Sequence, residues 1–250
     1  MWSEFAAAAP DLADGIVKTL LFTLIGAAAA IVVSFVLGLM ALSRQVIVRG
    51  VSRVIVEFFR GTSLVIQLLW FAFVLPQLKL GLALTPEGAA VVALALNYGA
   101  YGSEIVRGAI NAVPKAQWEA TTALSMSPGK RMRRVILPQA FPEMLPPFAN
   151  LLVQLLKGSS LLFIIGIVEL SRRLQDLRGD IPSLWVFSVG LVIYFVLAQI
   201  LMALMRLAES RAAARVGRGK SFERKAARAA AEQGAAEAPS FGGASNGGAA

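Results

Sequence analysis

Residues 16–42, Ile16-Val-Lys-Thr-Leu-Leu-Phe-Thr-Leu-Ile-Gly-Ala-Ala-Ala-Ala-Ile-Val-Val-Ser-Phe-Val-Leu-Gly-Leu-Met-Ala-Leu42, carry no charged side chain after Lys18. A helix needs about 20 predominantly apolar residues to cross the hydrocarbon core of a bilayer, so this stretch alone reads as a membrane span. Residues 54–75 form a second apolar run, closed by Pro76. Residues 88–110 form a third, opened by Thr85 as a helix cap and Pro86 at the first turn. A fourth run covers 144–168 and a fifth 184–207. The chain is 57% hydrophobic and 16% charged, whereas soluble domains hold about 45–50% and about 25%. The expected fold class is therefore an all-α membrane protein of about five transmembrane helices, forming one domain over residues 16–208.

The formal net charge is +9. Basic charge on a soluble surface points to nucleic acid, but here it lies in short clusters between apolar runs. Arg44, Arg49, Arg53 and Arg60 fall around the junction of the first two spans. Lys115, Lys130, Arg131, Arg133 and Arg134 fall between the third and fourth. Arg206, Arg211, Arg215, Arg218, Lys220, Arg224, Lys225 and Arg228 follow the fifth. Cytoplasmic loops are enriched in Lys and Arg, and five spans put all three groups on one side, with the N-terminus outside and the C-terminus cytoplasmic. Lys18 and Lys79 are the main basic residues of the outer loops. Arg172, Arg173 and Arg178 dissent, falling in an outer loop beside Glu169, Asp176 and Asp180. Residues 1–15 hold Glu4, Asp11 and Asp14 without a basic residue, which lacks the positive region of a secretory signal. They are expected as an extracytoplasmic N-terminal segment. Residues 209–250, rich in Ala, Arg, Gly and Glu, are expected as a disordered basic cytoplasmic tail, its first part prolonging the fifth span as a helix near anionic headgroups.

Ionisable and amide side chains inside apolar helices are costly, about 2.5–3.5 kcal/mol for a charge at mid-bilayer, and they usually face a bundle interior or a water-filled path. The third span carries Asn97, Tyr101, Glu104 and Gly108 on one helical face; the fourth carries Asn150, Gln154 and Lys157; the second carries Arg60, Ser63 and Gln67. Two readings fit. The amides serve as hydrogen-bonding glue between helices, with Glu104 paired to Arg107. Alternatively, Arg60, Gln67, Asn97, Tyr101, Glu104, Asn150, Gln154 and Lys157 line a pathway for a small polar solute. With no cysteine and no histidine, thiolate sites and the commonest general base are missing. Lys157 beside Ser159 or Ser160 makes a poor nucleophile–base pair, since near neighbours on a helix do not face each other.

The segment 113–138, between the third and fourth spans, reads as helix, turn, helix. Pro114 suits a first turn, Lys115 to Met126 are mostly good helix formers, Ser127 caps with Pro128 after it, and Pro138 closes the second helix. Such a loop suits a docking element for another protein; an amphipathic pair lying on the headgroups fits its composition equally well.

This loop resembles the EAA motif of binding-protein-dependent ABC transporter permeases: Glu-Ala-Ala, three residues, Gly, nine residues, Ile, one residue, Leu-Pro. Glu119, Ala120, Leu137 and Pro138 match in register, while Thr121, Ser125 and Val135 replace Ala, Gly and Ile. Serine lacks the conformational freedom of the glycine it replaces. The stretches from Phe59 to Leu68 and from Tyr98 to Gly108 are similar to motifs of polar amino-acid permeases, with Ser63 in place of Pro. Within that family, Lys115-Ala-Gln-Trp-Glu-Ala and Leu145 to Lys157 most resemble ectoine/hydroxyectoine permeases.

The resemblance implies a type I ABC importer permease in a bacterial inner membrane, carrying a polar amino acid or a similar compatible solute such as ectoine. It implies cytoplasmic ATPase subunits, a second permease subunit in a homo- or heterodimer, and an extracytoplasmic solute-binding protein, with no nucleic acid. Glu119, Ala120, Thr121, Ser125, Val135, Leu137 and Pro138 would form the ATPase-coupling loop. The chain itself would bind no cofactor and no metal and would be no enzyme, with ATP held by the partner. Gly219-Lys220-Ser221 resembles the end of a phosphate-binding loop, but Ala214 stands where its first glycine belongs. The alternative is a stand-alone carrier or channel for a small polar solute, against which the lack of a visible repeat argues.

Overall fold

The computed structural model describes residues 2–78, 84–179 and 181–215. The described residues fold into helices joined by short connections: α1 (Trp2–Ala41), α2 (Val46–Gly61), α3 (Leu64–Leu69), α4 (Pro86–Asn111), α5 (Lys115–Ala123), α6 (Pro128–Arg131), α7 (Leu137–Ser159), α8 (Leu170–Asp176) and α9 (Ser183–Arg215). Four helical stretches are long and apolar enough to cross a membrane: Glu4–Ala41, Pro86–Asn111, Pro128–Ile165 and Ser183–Arg211. A fifth span results if the bent pair Val46–Gly61 and Leu64–Leu78 counts as one. The chain divides into two units, Met1–Glu209 and Ser210–Ala250. α9 continues to Arg215, into the first part of the expected tail. The rest of it lies outside the described residues, as do Lys79 and Asp180.

Three expectations about helix boundaries change. The first helix begins at Trp2 and carries Pro10 inside it, so most of residues 1–15 belongs to α1. The second run is not one helix. It breaks at Thr62 and Ser63, both extended (φ −110° and −71°), and α2 and the stretch Leu64–Leu78 meet at 104°. Pro138 does not close a loop helix but sits in the first turn of α7, and the chain runs on helically from Pro128 to Ile165.

Both Pro76 and Pro138 follow a widened π-helical turn. Leu75 N–H reaches Trp70 O across the turn Trp70–Val74, and Leu137 N–H reaches Met132 O across Met132–Ile136. A helical proline lacks an N–H and crowds the carbonyl four residues back. The wider turn moves that carbonyl aside, so the helix passes through the proline instead of ending. Gly166, left-handed at φ 89°, finally stops the α7 stretch. At the other expected cap the sequence reading holds, as Thr85 Oγ1 accepts from Gly88 N at 3.2 Å. Ser127 occupies a cap position but makes no side-chain cap bond.

α1 and α4 form the central pair, and glycines set their separation. A Cβ on Gly38 would lie 2.9 Å from the Ser103 carbonyl oxygen and from Val106 Cβ; one on Gly99 would lie 2.6 Å from Val33 Cβ. Small residues let helix backbones approach closely where the solvent is as apolar as the side chains. Ser34 Oγ on α1 donates across this seam to Gly99 O on α4, at 3.2 Å. Beside this seam, Leu94 and Tyr98 of α4 pack with Leu151, Leu155 and Leu162.

The dissenting arginines have local partners. Arg173 pairs with Asp11 at 3.3 Å and Asp14 at 3.1 Å on α1, Arg172 pairs with Asp176 at 3.1 Å, and Arg178 lies 5.5 Å from the Phe187 ring centre. Nearby, the fully buried Glu169 caps α8 by accepting from Arg172 N at 3.1 Å. It also accepts from Thr19 Oγ1 at 3.1 Å and from the Tyr194 hydroxyl at 3.0 Å. One carboxyl thus ties α1, α8 and α9 together.

Substituting Gly38 with Ala drives a methyl against backbone, so thermal unfolding in detergent should show a loss of about 1–3 kcal/mol. Gly108, with nothing within 4 Å of its Cβ position, should accept Ala with no loss. Burial pushes the Glu169 carboxyl above its ordinary 4.5, outweighing the hydrogen bonds donated to it. A raised value means the neutral acid is favoured on folding, so its contribution is full below 4.5 and is lost as pH rises through the raised value. Melting measured from about pH 4 to pH 8 should lose part of its pH dependence in Glu169→Gln; an unchanged slope assigns that dependence elsewhere.

Candidate functional site

The loop 113–138 is held on its inner side and open on its outer side. Trp118, Val135 and Leu137 pack against a core of Val106, Ile110, Val113, Ile136, Ala140 and Met144, and Thr121 is buried with its hydroxyl on Trp118 O at 2.8 Å. Gln139 Nε2 donates to Gln117 Oε1 at 3.2 Å, a second tie from α7 to α5. Glu119, Ala120, Ser125 and Pro138 are exposed. The coupling residues read from sequence therefore split into an anchoring set (Thr121, Val135, Leu137) and a presenting set. Leu124, 74% exposed beside that face, was not singled out by the sequence reading. A bare leucine at the end of a polar helix is the signal that marks it.

Ser125 explains what the replaced glycine does. Among the described residues it is the sole non-glycine with positive φ, 51°. Met126 N bonds to Thr121 O at 3.1 Å and Ser125 N to Thr122 O at 2.9 Å. That pair of bonds is the Schellman ending of a helix, which places a left-handed residue just past the cap. Here that residue is serine.

The polar residues of the spans fall into two groups. At the α2–α3 break, Gln67 Nε2 donates to Phe59 O at 3.0 Å and to Thr62 Oγ1 at 2.6 Å. Asn97 Nδ2 donates to Phe59 O at 3.1 Å and to Gln67 Oε1 at 3.2 Å. The carbonyls freed by the break take up these buried amides, so Arg60 and Gln67, expected on one straight helix, stand on two. Arg60 lies over the Tyr101 ring, 5.2 Å from its centre, and the Tyr101 hydroxyl donates to Arg60 O at 3.3 Å. Glu104 pairs with Arg107 at 2.5 Å. Asn150, Gln154 and Lys157 form the second group, an exposed stripe along α7. Among the described residues no hydrogen bond or ion pair joins the two groups through their side chains.

The sequence profile of the binding-protein-dependent transport system inner membrane component matches residues 30–214. The chain belongs to this family. This permease is 44% identical over 204 residues, 80% of its length and 86% of the other's, to a probable amino-acid ABC transporter permease, y4tF, of Sinorhizobium fredii. It is 35% identical over 211 residues, 84% of its length and 96% of the other's, to the glutamine transport system permease GlnP of Escherichia coli. Among solved structures, an amino acid ABC transporter crystallised with histidines superposes with a TM-score of 0.75 at 30% identity, over 84% of this permease and 98% of that chain. The MetNI methionine ABC transporter in an inward-facing conformation shares the fold, with a TM-score of 0.69 at 21% identity over 80% and 95% of the two chains. The permease is thus a multi-pass inner-membrane component of an ABC importer and not an enzyme, and importers of this kind work with an ATPase and a binding protein.

A left-handed conformation costs a residue with a Cβ about 1–2 kcal/mol. Ser125→Gly should slow amide exchange across α5 by roughly tenfold, and Ser125→Val should speed it. Equal exchange in all three proteins would remove backbone strain from the account of this turn.

Proposed function

We propose that this permease is the membrane-spanning subunit of an ATP-driven importer for a polar amino acid or an amino-acid-like compatible solute. The observation that carries the coupling half is α5: a short helix anchored by Trp118 and Thr121 while Glu119, Ala120 and Leu124 stand free. An anchored helix with an open mixed face suits a groove on a cytoplasmic ATPase subunit, and ATP belongs to that partner; this chain binds no cofactor. In this reading the loop end and the C-terminus are cytoplasmic and the N-terminus is outside.

For the solute, the relatives' names supply the class: glutamine for one, L-cystine and arginine for the permeases TcyB and ArtQ of Bacillus subtilis. All carry a zwitterionic α-amino-acid group. Ectoine is a cyclic zwitterion of the same chemical class, so the narrower resemblance stays inside it. The stripe Asn150, Gln154 and Lys157 supports a pathway shared with a second permease subunit, because a lysine facing lipid at mid-bilayer costs about 2.5–3.5 kcal/mol. Arg60, Tyr101 and Glu104 are the other candidates for that pathway. Gln67 and Asn97 act one step back, holding the broken helix on which Arg60 stands.

Uptake of labelled glutamine and ectoine into cells bearing the complete transporter should vanish when the ATPase is catalytically dead. It should vanish also with Glu119→Lys, the permease remaining in the membrane. Undiminished uptake with the dead ATPase would establish the stand-alone carrier instead.

A further inference from the structure

A polar cavity lies at the end of the helices that leads into the loop 113–138. It measures about 390 Å³ and is bounded by the C-terminal ends of α1 (Ala41, Leu42) and α4 (Asn111) and by one face of α2. Arg49, Arg53 and Arg60 on α2 and Arg107 on α4 line it, with Glu57 and Glu104. Its charges do not cancel. Four guanidiniums face two carboxylates, and each helix C-terminus contributes about −0.5. The residue is therefore about +1.

The pairing is uneven as well. Glu104 is taken by Arg107 at 2.5 Å, and Glu57 lies 3.9 Å from Arg53. Arg60 covers the Tyr101 ring and makes no salt bridge among the described residues. Arg49 has no side-chain hydrogen bond or ion pair among the described residues. Its planar fork of N–H donors is the geometry that grips phosphate oxygens two at a time.

A run of arginines is more often a solvated face than a site. Two features argue otherwise here. The guanidiniums come from two helices around one concavity, and the unbalanced charge is close to that of a single phosphodiester. We propose that this cavity binds a phosphodiester anion, the headgroup chemistry of an anionic phospholipid, with Arg49 and Arg53 as its principal donors. The proposal does not rest on the transported solute, and its test reads binding only.

The full-length permease, purified in detergent, would be titrated with phosphatidylglycerol and with phosphatidylcholine and read by native mass spectrometry. The anionic lipid should bind in preference. Arg49→Gln with Arg53→Gln should weaken it about thirtyfold, at roughly fivefold per basic residue. Arg44→Gln, outside the cavity, should leave it unchanged. Competition by soluble glycerophosphoglycerol, the same diester without its acyl chains, identifies a free phosphoanion as the occupant, and no competition identifies the lipid; the site stands in both cases. Wild-type affinity in the double variant, or an equal loss in Arg44→Gln, overturns the proposal by reducing it to diffuse surface charge. If the double Gln variant does not fold, Arg49→Lys replaces it, keeping the charge but losing the fork. Weakened binding then supports the site, and unchanged binding overturns it.

Discussion

Hydrocarbon offers no hydrogen bonds, so each peptide group that leaves a helix inside the bilayer has to find its partner within the protein. In this permease that demand is sharpest where α2 ends and α3 begins. Phe59 O receives amide N–H groups from both Gln67 and Asn97, one from beyond the break and one from the central helix α4. Those bonds make a turn of 104° tolerable in an apolar run. The turn in turn aims α2 so that Arg60 meets Tyr101 and the α2 arginines face α4. Losing both amides would leave the part-buried Phe59 carbonyl without these partners, a cost of about 1–3 kcal/mol. Arg60, among the candidate pathway residues, and the α2 side of the arginine-lined cavity take their positions from this junction.

The same demand shapes the stretch that follows the coupling loop. A chain carrying Pro138, Pro142, Pro146 and Pro147 is a poor prospect for one long helix, yet residues 128–165 form a continuous helical path. The π-helical turn before Pro138 absorbs the first of these defects. Ile136 and Ala140, on either side of Pro138, share a packed cluster with Trp118 of α5. In the proposed coupling role, a push delivered to α5 would meet a helix that runs on into the spans, rather than a break in the helix. The Schellman turn at Ser125 keeps the loop compact at its other end, and it does so with a residue that pays a strain glycine avoids.

Much of this was legible beforehand. The apolar runs, the cap at Thr85, the first helix of the loop and the match of Glu119 and Leu137-Pro138 to a permease motif all follow from apolar length and residue type. Helix polar stripes were legible as stripes but not as roles. Gln67 and Asn97 look the same in sequence as Asn150 and Gln154, since each is an amide in a helically spaced polar stripe. What separates them is whether a freed carbonyl lies within reach, and Phe59 is invisible to any periodicity. Arg173 likewise looks like a violation of the charge rule until Asp11 and Asp14, some 160 positions earlier, are seen beside it.

By itself the sequence determined that the chain lives in a membrane, because hydropathy and charge placement act residue by residue and need no partner. It also determined the family, through motifs whose order along the chain survives unfolding. Only the tertiary structure decided that the second apolar run is bent, that Pro138 lies within a helix, that Ser125 is left-handed and that Glu169 binds three helices. Each of these depends on which donor meets which acceptor, or which methyl meets which backbone. Such meetings are properties of the packed helices and not of any one of them.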